Sequence, residues 1–213
     1  VKSYIDTVDI GGRHFRVERA KNLDELVDEV SDDLFNEDER LPYWAELWPC
    51  ARAMSLFILQ NPQLINGHDV LELGCGLGLT TMALARCNPS SLVATDYEQG
   101  ALDVTARNFE HNKLSAPELR LLDWRLPELE RRFPLIVASD VAYEQRFFEP
   151  LVDLFRRHLS EGGEVLLAEP NRSVARSFFG KLSLSGFCYR SMDITVLQDG
   201  HEIRVTIYRI RRA

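Results

Sequence analysis

Three glycines within five positions of "LELGCGLGLTT" (71–81) are the first residues whose type and spacing point to chemistry. Gly74, Gly76 and Gly78 follow an apolar run and precede a helical pattern, the order in which a strand hands backbone N–H groups and a helix start to a ligand. The dinucleotide fingerprint is incomplete, because Leu79 stands where its last glycine belongs, and no Gly-Lys-Ser/Thr follows to make a Walker loop. Glu72 sets a carboxylate inside the apolar run. An acid there repels a pyrophosphate and suits a ligand that carries an ammonium and a sulfonium, so the pattern favours S-adenosylmethionine over NAD. Asp96 ends the next apolar run, where a carboxylate can grip both hydroxyls of a ribose. Asp123 ends a third, placed to accept from an adenine amino group beside the flat face of Trp124. Asp140 and Tyr143 follow a fourth.

These residues need elements to position them. "DVLELG" (69–74), "SLVATD" (91–96), "LRLLDW" (119–124), "PLIVASD" (134–140) and "GEVLLAE" (163–169) read as buried strands. Between them the pattern predicts helices over 80–86, 99–112, 147–159 and 174–184, the third with Leu151, Leu154, Phe155 and Leu159 as a buried stripe. Strands alternating with helices imply a parallel sheet covered on both faces. The tail breaks the alternation: "FCYRSMDITV" and "EIRVTIYRI" flank "QDG" (198–200) as an antiparallel hairpin. Ahead of the glycines, "YIDTVDIGGRHFRVERA" (4–20) reads as another hairpin, "NLDELVDEVSDDLF" (22–35) as an acidic amphipathic helix, and 42–62 as a segment whose helix is bounded by Pro49 and Pro62. A shared helical turn would set Trp44 and Trp48 on one face. The division expected is an N-terminal extension of hairpin and acidic helix, 1–41, and a domain spanning 42–213.

Composition narrows the function. With 33 acidic against 25 basic side chains the formal charge is -8, which disfavours a nucleic-acid partner. No apolar stretch is long enough to span a bilayer, and the charged N-terminus is unlike a secretory signal, so neither membrane nor export is expected. Cys50, Cys75, Cys87 and Cys188 form no C-x-x-C pair and read as reduced thiols of a cytoplasmic protein. His14, His68, His111, His158 and His201 lack partner spacing; they are expected at the surface, and no metal is expected. Arg172 and Arg176 read as part of a solvated helix face.

"VLELGCGLGLTT", "VATDY", "LDW" and "ASDVAYE" together resemble the class I, seven-stranded S-adenosylmethionine-dependent methyltransferases, over about residues 42–210. "PYWAELWP" (42–49) and the D-x-x-Y motif of Asp140 to Tyr143 are similar to the protein-lysine methyltransferase branch, which includes the enzymes that act on the electron transfer flavoprotein β-subunit. The resemblance implies an α/β fold: a Rossmann-like, doubly wound seven-stranded sheet with the last strand antiparallel, here with an N-terminal hairpin and helices added. It also implies that Gly74, Gly76, Gly78, Asp96, Asp123 and Trp124 bind cofactor, and that Asp140 and Tyr143 face substrate. Trp48 is expected against the cofactor's methionyl end, with Glu72, Tyr97 and Ser139 completing the cofactor set. Trp44 and Glu46 are expected on the substrate side, where Trp44, Trp48 and Tyr143 could cage an alkylated ammonium. Ser139-Asp140-Val141-Ala142 lacks the asparagine of the N-P-P-Y motif, which makes an amide substrate a poor fit. Three functions follow: methylation of a lysine on a protein, N-methylation of a small amine, or a non-catalytic adaptor with a relic pocket. The intact acidic and glycine set speaks against the third.

Overall fold

The computed structural model describes residues 2–22 and 41–213; nearly all of the acidic helix expected over 22–35 lies outside them. Two strands, β1 (Ser3–Ile10) and β2 (Arg13–Ala20), pair antiparallel as the N-terminal hairpin. Helix α1 (Pro49–Gln60) then leads into the alternation of β3 (Asp69–Leu73), α2 (Leu79–Ala85), β4 (Ser91–Asp96), α3 (Gln99–His111), β5 (Glu118–Leu121), β6 (Phe133–Ser139), α4 (Phe148–His158), β7 (Leu159–Glu169) and α5 (Ala175–Leu184). The chain closes with β8 (Phe187–Gln198) and β9 (His201–Arg212). The main sheet has seven strands in the order β5-β4-β3-β6-β7-β9-β8. The first five are parallel, and β9 runs antiparallel between β7 and β8. Asp199 and Gly200 turn the tail hairpin with both φ angles positive, 52° and 78°, the backbone that a two-residue hairpin requires.

Alternation along the central strands divides the core in two. Val70, Leu135, Val137, Leu166 and Ala168 face a layer made by α1, α2, α3 and the N-terminal hairpin. Leu71, Leu73, Ile136, Ala138, Val165 and Leu167 face α4 and α5. A strand buried on both sides is apolar at most positions, which is why these runs carry no polar alternation. The hairpin shares the first core: Phe15 and Val17 are fully buried, each such side chain worth about 2–3 kcal/mol. Two asparagines, Asn108 on α3 and Asn112 just past its end, hold the hairpin's edge. Asn108 accepts the Glu18 N–H at 2.6 Å, and Asn112 accepts the Arg16 N–H at 2.9 Å while donating to the Arg16 carbonyl at 2.6 Å.

Several expected boundaries move. The third strand of the alternation stops at Leu121, so Asp123 and Trp124 stand on the turn beyond it. Leu159 opens β7 and does not end α4, although it is buried as its stripe requires. Pro49 is the first residue of α1, a position proline favours because its missing N–H has no helical partner there. Trp48 is consequently extended and Trp44 lies in a separate 3-10 turn over Tyr43–Ala45, so the two indoles do not share a helical face. His158 is buried rather than at the surface, with Nδ1 3.2 Å from the Arg131 carbonyl oxygen.

Candidate active site

At the carboxyl end of the parallel strands the glycine turn is tightly packed and runs through positive φ, 70° at Gly74 and 52° at Gly76. A Cβ on Gly74 would meet Val141 at 3.3 Å and Trp124 at 3.7 Å, and one on Gly76 would lie 3.2 Å from the Trp44 carbonyl oxygen. Both positions line a cavity. Gly78 does not: it caps α2 from beneath, where a Cβ would come within 2.8 Å of Thr105. Asp96, from the end of β4, holds the turn in shape by accepting the Gly76 N–H at 2.9 Å and the Glu98 N–H at 3.0 Å. Burial outweighs those amides and raises its carboxyl to about 6.

The far wall of that cavity is aromatic and charged. Tyr97, Asp123 and Trp124 all line it, with Trp124 edge-on to Phe147 at 5.6 Å between ring centres. Arg125 joins them, donating to Asp123 at 2.8 Å and to the Tyr97 hydroxyl at 2.6 Å. Asp123 therefore already carries a guanidinium, and an adenine amino group would share it.

The same cavity is lined by Trp48, Tyr43, Tyr143, Ser139 and Asp140. Trp48 donates its indole N–H to the Tyr43 carbonyl at 2.8 Å, and the Tyr43 ring stands 6.5 Å from that of Trp48 and 5.8 Å, edge-on, from that of Tyr143. Ser139 lies 3.3 Å, hydroxyl to hydroxyl, from Thr80. Burial pushes the Tyr143 hydroxyl well above the usual tyrosine range, so it stays protonated near neutral pH. Asp140 sits at the end of β6 with φ at 60°, its carboxylate paired with Arg172.

Gly78, expected to bind cofactor, instead shapes the turn beneath it, and three further expectations change on this geometry. Glu72 does not reach the cavity: it is 1 % exposed among apolar neighbours, one carboxyl oxygen has no hydrogen-bond partner, and desolvation raises its pKa to about 8. It is thus chiefly protonated at neutral pH and, contrary to the expectation, offers a cationic ligand no negative charge. Trp44 does line the cavity, but its ring covers Gly100 at the start of α3, where a Cβ would be 2.7 Å away. The third wall beside Trp48 and Tyr143 is Tyr43 instead. Glu46 lines the mouth with its carboxylate engaged by Arg19 at 2.6 Å and by the Leu47 N–H at 2.7 Å, so it ties the hairpin to the cavity. Tyr43 went unremarked in the sequence because it adjoins a tryptophan that drew the same role. Arg172, expected on a solvated helix face, stands instead ahead of α5, three residues after Glu169, the last residue of β7.

Comparison with known proteins agrees with this architecture. A family model described as lysine methyltransferase matches residues 32–185. The electron transfer flavoprotein β-subunit lysine methyltransferase of Xenopus laevis is 35% identical over 137 residues, covering 62% of this chain and 54% of that protein. A calmodulin-lysine N-methyltransferase of Arabidopsis thaliana is 28% identical over 144 residues, covering 63% of this chain and 47% of its own length. The matched stretch thus spans about half the length of these relatives. Among solved structures, the N-methyltransferase NodS of Bradyrhizobium japonicum, in complex with S-adenosyl-L-homocysteine, superposes with a TM-score of 0.60 at 17% identity, covering 88% of this chain and 97% of that one. A putative RNA methyltransferase of Pyrococcus horikoshii gives 0.59, also at 17%, over 90% and 94%. At such identities the likeness is one of fold. The family match covers most of the chain, which belongs to the lysine methyltransferase family.

Proposed function

We propose that the chain is an S-adenosylmethionine-dependent N-methyltransferase that modifies a lysine side chain of a protein. The observation that carries this reading is a single cavity lined by two chemically distinct sets of residues. One is the glycine turn with the Asp96 carboxylate, and the other is three aromatic rings with Asp140. The residues suit the cofactor. The turn is tightly packed at Gly74 and Gly76, both at positive φ, Asp96 offers acceptors for a ribose, and Trp124 and Tyr97 offer flat faces beside Asp123. Lysine on a protein is supported by the family and by relatives named for protein substrates.

When bound, the cofactor supplies a methyl group made electrophilic by its sulfonium. The chain's own task is alignment and exclusion of water. Trp48, Tyr43 and Tyr143 wall the channel along which an alkylamine approaches, their faces tolerating both ammonium and amine. A lysine must lose its proton before it attacks, at a cost of roughly 4–5 kcal/mol at pH 7. Tyr143 keeps its own proton, as does the Cys50 thiol, which burial pushes far up. Neither takes the proton, which passes to water at the mouth. Asp140 orients the incoming nitrogen from the end of β6. Incubating the protein with radiolabelled S-adenosylmethionine and a size-fractionated cell extract tests the reading. Label on lysine in the macromolecular fraction is expected; label on small molecules would assign a small amine as the acceptor instead.

A further inference from the structure

The turns that end β6 and β7 converge on one ion pair. Each holds a residue other than glycine at positive φ: Asp140 at 60° after β6, and Asn171 at 66° after β7. Such backbone persists only where its surroundings hold it. The Asn171 side-chain oxygen lies 3.0 Å from the Thr206 hydroxyl, which donates to Asp193 at 2.6 Å, and the Arg172 N–H is shared by both Glu169 oxygens at 3.1 Å each. Asp140 is held by its own N–H, which donates to the Ala168 carbonyl at 2.9 Å. The outcome aims Arg172 across the gap. Its two terminal nitrogens take the two oxygens of Asp140, Nη2 reaching Oδ2 at 3.1 Å. The Asp140 side chain is 6 % exposed and that of Arg172 33 %.

The groups facing Asp140 come from four elements. Arg172 belongs to the turn after β7, Glu169 is the last residue of β7, Cys50 belongs to α1 and Tyr143 to the loop after β6. Cys50 and Tyr143 are uncharged near neutral pH, and burial lifts Glu169 as well while backbone amides occupy its oxygens. Arg172 supplies the positive charge in this set. That matters for an acceptor amine, because a bare carboxylate beside it would favour docking of the ammonium and oppose the loss of its proton.

We propose that Arg172 is a charge-setting positioning residue of the acceptor site: it fixes the Asp140 carboxylate and cancels its charge, so that the acceptor nitrogen arrives beside a neutral ion pair. This rests on the methyltransferase reading. The pair forms and breaks no covalent bond; it leaves the Asp140 oxygens able to orient a nitrogen without stabilising its charged form. The sequence treats the arginine as part of a solvated face, whereas the fold assigns it to the D-x-x-Y motif.

The test uses n-butylammonium, a stand-in for the end of a lysine, titrated by saturation-transfer NMR into the full chain saturated with S-adenosylhomocysteine. Arg172→Ala should bind the probe about tenfold more tightly than the wild type, because the variant exposes an unpaired carboxylate. Arg172→Lys should behave as the wild type, and Arg172→Ala combined with Asp140→Asn should lose the gain. A merely structural role predicts weaker binding or none, never a gain that depends on Asp140. Arg172→Gln replaces the alanine variant if the latter fails to bind S-adenosylhomocysteine. Normal S-adenosylhomocysteine binding with no gain for butylammonium overturns the proposal alone; a wild type that does not bind S-adenosylhomocysteine overturns the methyltransferase reading with it.

Discussion

Lowering the pH should release the cofactor by protonating Asp96. The carboxyl is held at about 6 in the folded chain against an ordinary value of 3.8, because its burial costs more than the Gly76 and Glu98 amides return. A raised carboxyl pKa means that the folded chain binds the proton more tightly than the unfolded one. Its contribution therefore opposes folding above pH 6 and vanishes below the unfolded value. The rise from 3.8 to about 6 corresponds to roughly 3 kcal/mol. Ribose hydroxyls donate to the ionised form, so ligand binding must draw the pKa down. Affinity for S-adenosylhomocysteine should then be level near pH 7 and fall about tenfold for each unit below 6. Calorimetry between pH 5 and 7, in buffers of different ionisation enthalpy, reads both the affinity and the proton released. The cavity is lined by no histidine among the described residues, and Glu72 titrates above this window. Asp96→Asn should abolish the pH dependence and weaken binding by about 1.5–3 kcal/mol, since an amide can accept only one of the two N–H groups that now meet the carboxylate. Level affinity down to pH 5, or an unchanged slope in Asp96→Asn, would refute the assignment of Asp96 to the ribose.

Gly76→Val should abolish S-adenosylhomocysteine binding by calorimetry, because its Cβ would press on the Trp44 carbonyl from a backbone with φ at 52°. Tyr143→Phe should lower turnover less than Tyr143→Ala, measured as label incorporated per minute, because the ring against Tyr43 survives the loss of the hydroxyl. Asn108→Ala should destabilise the fold by about 2–3 kcal/mol, a fall of roughly 4–12 °C in Tm by calorimetry, because it strands the buried Leu77 carbonyl and the Glu18 N–H together.

Strand positions were legible because strands buried on both faces leave unbroken apolar runs; β4 matches its expected span residue for residue. The turn at Asp199-Gly200 was legible for a different reason, since few residue pairs adopt its backbone. The roles of single acids were less so. Glu72 reads as a charge in sequence, but a strand gives it to one face or the other, and here that face is the α1–α2 core, where a carboxyl keeps its proton. Glu46 and Asp140 read as free acids, yet each meets an arginine distant in sequence, Arg19 from the hairpin and Arg172 from beyond β7. Such pairings are decided by strand order, which no local pattern carries. Trp44 and Trp48 show the opposite failure: a spacing of four suggested one helical face, and Pro49 placed the helix start after both.

The central claim is that one cavity carries a methyl group from S-adenosylmethionine to a lysine nitrogen, and peptide mass spectrometry reads that transfer directly. A whole-cell protein extract is incubated with the full chain and S-adenosylmethionine, then digested and sequenced by fragmentation. The account predicts methyl groups on lysine nitrogens of a protein that are absent when Gly76→Val replaces the wild type. Methylation confined to residues other than lysine, or none on any protein of a whole-cell extract while S-adenosylhomocysteine accumulates, would contradict it.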